Sequence, residues 1–469
     1  MPLQVFRAVA FAAALAAPLW VAPDALMRAV APEPQSGPLR QSWWDRTDPG
    51  AGRALPRSRF YAIRSDLPAA ETKLYADHLD TMYAEYSRLT QGLRRRGKEY
   101  LDVYMFASER DYLDTLRTKM GATATGSGGM FFVGPKGAGL AFFTEGIPRS
   151  RVEHVIRHEG FHQFAYSFFE NDLPPWANEG LAEYFGEASV VDGKVIEGQA
   201  SPRAVTEVKK ALEAGTAIPF LDMLTRDSKR WNAAVAEGRA GVQYPQAWSM
   251  VQFLLWGEGG ALSRNFSAYL RHVNDGRDSV SAFRMAFGGT DDRAVADFER
   301  RWRAFAAVQV PSTFRAALER MEFYAEGLQY LRARNVVPAT MEELREALVR
   351  ERFTSVVGGH GQGVTLRPED PAMWELAADS LQDARKPPVF DYVWKGPKPR
   401  KAASQEAAAG EGGDAGAGGK EDLTSKPAGK PAKTPPPPEV ITRSLLPRNL
   451  KLTWIRGKGD QWTYDISVK

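Results

Sequence analysis

The sequence contains no cysteine among its 469 residues, and only six histidines. The absence of cysteine excludes structural disulfides, thiolate zinc sites, cysteine nucleophiles and a lipidated N-terminal cysteine. Any metal site must therefore use histidine and carboxylate side chains. Hydrophobic residues make up 43% of the chain, which is enough for packed domains. A chain of this length is expected to fold as two or more units rather than around a single core.

An excess of charge of either sign is also lacking, because the net charge at pH 7 is only +4. Its distribution is uneven, since residues 395–469 hold 14 Lys and Arg against 8 Asp and Glu. Such a weakly basic tail can contact an anionic cell envelope, although basic runs are more often simply solvated. No nucleic-acid-binding motif accompanies the tail, so we expect no nucleic-acid partner.

Long hydrophobic runs are absent except near the N-terminus. There, an apolar stretch of about 15 residues follows Arg7, and small residues suited to cleavage follow at Ala22 and Ala31. This layout predicts a signal peptide over residues 1–31, with an uncleaved membrane anchor as the alternative. In either case we expect the folded part to be exported, to the periplasm, the cell surface or the medium.

Hydrophobic periodicity predicts an α+β protein. Residues 130–133 and 139–145 are predicted to form strands, and residues 149–169 and 175–187 to form helices. The Asp-Gly pair at residues 192–193 indicates a β-hairpin. The predicted organisation is a linker at 32–57, a main domain at 58–310, a C-terminal accessory region at 311–395, a disordered low-complexity linker at 396–440 and a β-hairpin segment at 441–469.

The motif that carries chemistry is His158-Glu159-Gly160-Phe161-His162, an HExxH sequence within the first predicted helix. Side chains four residues apart lie on one face of a helix, so both imidazoles can reach one metal ion. Glu159 lies beside them, where it can act as a general base. A surface helix with coincidental histidines is the alternative interpretation.

Zinc needs a third protein ligand, and catalytic zinc sites keep a further position open. One class of zinc proteases extends the motif to HExxHxxGxxH, but here Ala165 and Phe168 occupy the glycine and histidine positions. Another class uses a glutamate on a following helix. The second predicted helix offers one at Glu179, after the Pro174-Pro175 pair that separates the two helices.

The segments RHEGFHQF and WANEGLAEYF resemble the gluzincins, zinc metallopeptidases of the MA clan. Similarity is greatest to a bacterial family of exported HExxH proteins of unassigned function, and it covers roughly residues 58–308. The resemblance implies a small mixed sheet with metal-binding helices, then a helical subdomain, here followed by a small C-terminal α+β unit. It also implies that Glu179, within the Asn-Glu-Gly triplet, is the third zinc ligand.

The resemblance assigns two further residues. Glu183, one helical turn after Glu179, matches a carboxylate that holds a zinc-binding histidine through its other ring nitrogen. Tyr244 resembles a tyrosine that stabilises the oxyanion in the aminopeptidase N family. The alternatives are an ordinary solvated glutamate and a buried core tyrosine.

One part of the sequence departs from the aminopeptidase pattern. Those enzymes carry a GxMEN strand whose glutamate binds the free amine of the substrate, whereas Phe131 stands at the nearest equivalent position here. This difference favours an endopeptidase. The strand at residues 139–145 is the predicted partner of an extended peptide substrate.

His154 lies one turn before His158 on the same predicted face. Three histidines on one straight helix span two turns and cannot converge on a tetrahedral ion. We therefore interpret His154 as a packing residue or a polar group on the substrate side.

The sequence thus predicts an exported zinc peptidase that hydrolyses a peptide or protein substrate through a zinc-activated water, with Glu159 as general base. The predicted ligands are His158, His162 and Glu179, and the predicted cofactor is Zn²⁺. Two alternatives remain: a zinc hydrolase acting on bonds other than peptides, and a catalytically silent cell-envelope binding protein.

Overall fold

The computed structural model describes residues 41–90, 93, 95–134, 137–237, 241–288, 292–357, 364–375, 389–394, 437–443, 449–456 and 462–468. The predicted signal peptide and almost all of the predicted low-complexity linker lie outside these residues. The described chain is an α+β protein, as predicted. It divides into two compact units, one containing residues up to 322 together with 354–367, the other containing residues 323–353 and 368–469.

The first unit is built on a four-stranded mixed sheet. Its strands are β1 (Tyr61–Ser65), β2 (Leu101–Phe106), β3 (Gly129–Gly134) and β4 (Gly137–Phe143), in the order β1-β2-β4-β3. β1, β2 and β4 run parallel, and β3 pairs antiparallel with β4. Parallel strands require covered faces, and helices pack on both sides of this sheet.

Two helices on one face of the sheet form the main core. They are α2 (Ala69–Leu89) and α4 (Arg149–Phe168). The other face is covered by α1 (Trp43–Thr47), α3 (Glu109–Thr115) and a π-helical turn at Leu116–Met120. Apolar side chains from α2, the sheet and α4 meet in the main core, including Leu79, Met82, Val103, Leu140, Phe142, Ile156, Phe161 and Phe164.

Helices follow for the remainder of this unit. They are α5 (Pro175–Glu187), α6 (Pro202–Glu213), α7 (Phe220–Thr225), α8 (Ser228–Ala236), α9 (Gln243–Trp256), α10 (Ser263–Asn274), α11 (Ser279–Phe287), α12 (Asp292–Val308) and α13 (Thr313–Arg332), whose residues from 323 onward belong to the second unit.

Two short hairpins also belong to the first unit, β5 (Ser189–Val191) with β6 (Lys194–Ile196) and β7 (Ser355–Val357) with β8 (Val364–Leu366). The predicted Asp-Gly turn lies between β5 and β6, where Asp192 and Gly193 have φ of 52° and 66°. These positive angles are what a tight hairpin turn needs.

The second unit contains α14 (Met341–Arg350) and an antiparallel sheet. The strands are β9 (Val389–Val393), β10 (Glu439–Arg443), β11 (Leu450–Arg456) and β12 (Trp462–Val468), in the order β12-β11-β10-β9. The predicted C-terminal hairpin corresponds to β11 and β12.

One predicted role within the first sheet is wrong. The strand at residues 139–145 was expected to pair with a substrate, but β4 is hydrogen-bonded to β2 on one side and β3 on the other. Both of its edges are therefore already paired. β3, not β4, lies at the end of the sheet.

Candidate metal centre

The candidate site lies where α4 packs against α5. α4 carries His158, Glu159 and His162, and α5 carries Glu179 and Glu183. α5 begins at Pro175, which suits the first turn of a helix because proline has no N–H to leave unpaired. The two helices have the predicted bounds to within one residue. Their packing brings together two motifs that are 17 residues apart in sequence.

Three side chains form a compact triangle of donor atoms. Nε2 of His158 lies 3.1 Å from Nε2 of His162. Oε2 of Glu179 lies 3.5 Å from each of these nitrogens. Tetrahedral zinc bound at 2.0–2.1 Å separates its ligand atoms by roughly 3.3 Å. The three donors therefore fit a zinc ion in both type and spacing, and among the described residues they form one of two His/Glu groups that could hold a metal.

The electrostatics of the triangle favour a positive charge within it. Burial acts to raise the pKa of Glu179, but His162 and His158 beside it hold that pKa well below its usual range. Burial likewise acts to lower the pKa of His162, but Glu179 chiefly raises it to about 9. The Glu179 carboxylate therefore stays ionised. Its negative charge favours either a proton or a metal ion on the histidine nitrogens beside it.

The outer nitrogen of each histidine faces a polar side chain of α5. Nδ1 of His162 lies 3.1 Å from Oδ1 of Asn178, and since an amide oxygen can only accept, Nδ1 carries a hydrogen and donates this hydrogen bond. A metal ion that replaces the proton on Nε2 of His162 would then meet the lone pair of that nitrogen on the triangle side. Nδ1 of His158 lies 3.9 Å from Oε1 of Glu183, which is the side of the ring predicted for that carboxylate.

Asn178 was not identified from the sequence. The sequence feature that could have identified Asn178 is its position directly before Glu179 in the Asn-Glu-Gly triplet. Its contact with His162 depends on how two helices cross, which spacing within either helix does not reveal.

Glu159 is held by the backbone of β3. The N–H of Phe131 donates to Oε2 of Glu159 at 2.8 Å, and only 5% of the Glu159 surface is exposed. This contact fixes Oε2, so Oε1 is the carboxylate oxygen that the Phe131 N–H does not occupy. The strand containing Phe131 is the one compared above with the GxMEN strand, and it does lie beside the HExxH helix.

His154 belongs to a second group that could hold a metal ion, together with His158 and Glu183. Both groups use His158, so occupying them together would require its ring to bind two ions. The ring of His154 also packs tightly against α5, because a Cβ added at Gly186 would lie 2.9 Å from it. Gly186 thus makes room for the histidine between the helices.

Arg157 ties the end of α5 to α4. Its Nε and Nη2 atoms donate to the carbonyl oxygen of Gly186 at 3.1 and 2.9 Å. Its backbone carbonyl accepts a 2.6 Å hydrogen bond from the hydroxyl of Tyr86 on α2. Arg157 directly precedes His158, so these contacts fix the two ligand-bearing helices relative to each other.

Tyr244 lies in the first turn of α9, which begins at Gln243. α9 packs on α5 with very close approach at Gly180, where an added Cβ would lie 2.6 Å from the carbonyl oxygen of Ala247. The Tyr244 ring packs edge-on against Trp231 at 5.3 Å. Burial, followed by the charge of Glu179, raises the pKa of Tyr244 well above its usual value. The phenol therefore stays protonated and lies within the electrostatic reach of the site.

Comparison with known proteins gives a match to a protein family. The family described as "Protein of unknown function (DUF1570)" matches residues 153–274. This segment begins within the first turns of the HExxH helix, includes α5 and Tyr244, and ends at the last residue of α10. No curated protein matches the chain. Within the described residues, every helix is too short or too polar to span a membrane.

Proposed function

We propose that this protein is a zinc-dependent peptidase of the gluzincin type in which His158, His162 and Glu179 bind the metal and Glu159 is the general base. The observation that carries the proposal is the triangle of two imidazole nitrogens and one carboxylate oxygen, with donor atoms 3.1–3.5 Å apart. Two histidines and a glutamate are the ligand set of catalytic zinc sites of this type. Structural zinc sites instead close the coordination with a fourth side chain.

A zinc ion bound there would lower the pKa of a coordinated water and polarise the scissile carbonyl. Glu159 accepts the proton at Oε1, since Oε2 is held by the N–H of Phe131. It later delivers that proton to the leaving amine. Asn178 keeps His162 in the tautomer whose Nε2 can bind metal.

The sequence of β3 supports an endopeptidase within this class. The N–H of Phe131 contacts Glu159, so this position adjoins the general base. A carboxylate there could bind the free amine of a substrate, but the phenylalanine side chain cannot. Phe131 therefore cannot select peptides that present a free amino terminus at the site.

We also propose that the enzyme is exported. The support is the predicted signal peptide at residues 1–31, which lies outside the described residues. Its substrate would then be a peptide or protein of the cell envelope or the surroundings, and the basic C-terminal tail could add weak contact with anionic envelope polymers.

Incubation of the purified full-length protein with a mixed peptide library, with and without a zinc chelator, tests this function. We expect cleavage of internal peptide bonds that the chelator stops and added zinc restores. Zinc binding with no peptide cleavage, but with turnover of ester or other hydrolysable probes, would favour the non-peptide hydrolase. Zinc binding without turnover of any probe would favour a silent binding protein.

Tyr244→Phe should keep the fold and bound zinc but lower the catalytic rate by about 10²–10³, because loss of one oxyanion donor has an effect of this size. The control is Tyr269→Phe, which removes the hydroxyl of a fully buried tyrosine that contacts Ser279 in the helical region. The control should lower the melting temperature and leave the rate per folded molecule unchanged. Turnover and melting temperature are measured on the same preparations. An unchanged rate in Tyr244→Phe would remove this residue from the mechanism.

A further inference from the structure

A cavity of about 410 Å³ opens beside the C-terminal half of the HExxH helix. Gln163, Tyr166 and Ser167 line it from α4, and the first residues of β2 and Ala138 of β4 line it from the sheet. Its volume falls within the range of sites that bind small ligands. Nothing in the proposed mechanism uses this cavity.

The cavity adjoins the catalytic residues along the helix. Gln163 directly follows the ligand His162 and lies one turn, roughly 6 Å, beyond Glu159 on the same face. The ring of Tyr166 packs against that of Phe131 at 5.5 Å between centroids, and the N–H of Phe131 holds Glu159. Tyr166 therefore lines the cavity and also contacts Phe131, the residue whose backbone holds the general base.

The polar and charged side chains of the lining make hydrogen bonds or ion pairs with other groups of the protein. Arg96 lies at the C-terminal end of α4, where its guanidinium donates to the carbonyl oxygens of Tyr166 and Phe169. Nζ of Lys98 lies 2.5 Å from Oδ2 of Asp102. Gln163 donates through Nε2 to the carbonyl oxygen of Asp102 at 2.8 Å.

The lining of the cavity presents mainly apolar surface to a ligand. It includes Leu101, Ala138 and the rings of Tyr100 and Tyr166. Tyr166 is 49% exposed although it is a large aromatic residue of the metal-binding helix α4. Aromatic side chains gain from packing against such rings beyond the area that they bury.

We propose that this cavity is a substrate subsite that receives a large apolar side chain, preferably aromatic, of the peptide cleaved at Glu159. The inference rests on the proposed peptidase function and adds its side-chain specificity. A residue at one fixed position from the scissile bond fills the cavity, while the bond itself lies at Glu159 and the metal ligands.

Ala138→Leu tests the proposal because it fills the cavity from the sheet. Ala62→Leu is the matched control, since Ala62 is a half-buried alanine of β1 in the same sheet but outside the cavity lining. The wild type should favour Phe, Tyr or Leu at one position of a peptide library. Ala138→Leu should lower kcat/KM for a peptide with Phe there by on the order of 10- to 100-fold and should cleave the matched Ala peptide at a near-normal rate. Ala62→Leu should retain the wild-type preference.

A second measurement does not depend on turnover. Zinc-loaded Glu159→Gln protein, with and without Ala138→Leu, is titrated with the Phe and Ala peptides, and tighter binding of the Phe peptide should disappear in the double variant. Cleavage without a side-chain preference, or with the same preference in Ala138→Leu, would overturn the subsite while leaving the peptidase function intact. If the wild type cleaves no peptide, the peptidase function fails. In that event, equal binding of both peptides to the Glu159→Gln protein would overturn the subsite as well.

Discussion

Glu159→Gln should retain one zinc per chain and lose peptide cleavage by at least about 10²–10⁴-fold, the usual contribution of a general acid–base group. The amide keeps the shape of the side chain, and its oxygen can still accept the Phe131 N–H that now holds Oε2. It cannot accept a proton from water. The variant therefore separates proton transfer from metal binding and from folding.

The measurement is the initial rate on a cleaved peptide, with zinc content determined by elemental analysis on the same sample. Glu145→Gln serves as the control because Glu145 is an exposed carboxylate whose side chain contacts the backbone of residue 109. This control should cleave at the wild-type rate. Near-normal cleavage by Glu159→Gln would show that the hydrolytic mechanism is wrong.

His162→Ala should abolish stoichiometric zinc binding and, with it, all activity. It removes one of three donors and leaves two that cannot complete a catalytic site. The loss of zinc affinity should exceed the roughly 10–100-fold decrease in affinity caused by removing a side chain that hydrogen-bonds a metal ligand. Melting temperature should also lose its dependence on added zinc, because an ion that binds the native state stabilises it.

His154→Ala is the matched control, since it removes a buried histidine from the same helix. We expect this control to keep one zinc per chain, even if its melting temperature falls because a packed ring is lost. Equilibrium dialysis followed by elemental analysis compares the two. Full zinc in His162→Ala would contradict the ligand assignment, and loss of zinc in His154→Ala would favour the group formed by His154, His158 and Glu183.

Local sequence predicts the helices of the site well because their signals are local. The spacing of His158 and His162, and the proline at the start of α5, determine helix position and face without reference to the rest of the chain. The Asp-Gly hairpin is predictable for the same reason, since its positive φ angles are a property of two residues.

Features that depend on long-range pairing were not predictable in this way. The sequence of residues 139–145 indicates a strand but does not show that the strand is paired on both sides. Because β2 and β3 occupy both of its edges, the substrate role expected for it is wrong. The contact between Asn178 and His162 depends on helix crossing. The position of Tyr244 depends on the close packing of α9 against Gly180 of α5, which joins segments more than 60 residues apart.

The central claim is that one zinc ion, held by His158, His162 and Glu179, makes this protein a peptidase. Titration of zinc into the metal-free protein, with peptide cleavage followed at each step, tests it most directly. We expect the rate to rise linearly and to level off at one zinc per chain, with Glu159→Gln binding the same equivalent without cleaving. Cleavage that is independent of zinc, or a fully zinc-loaded wild type that cleaves no peptide, would contradict the claim.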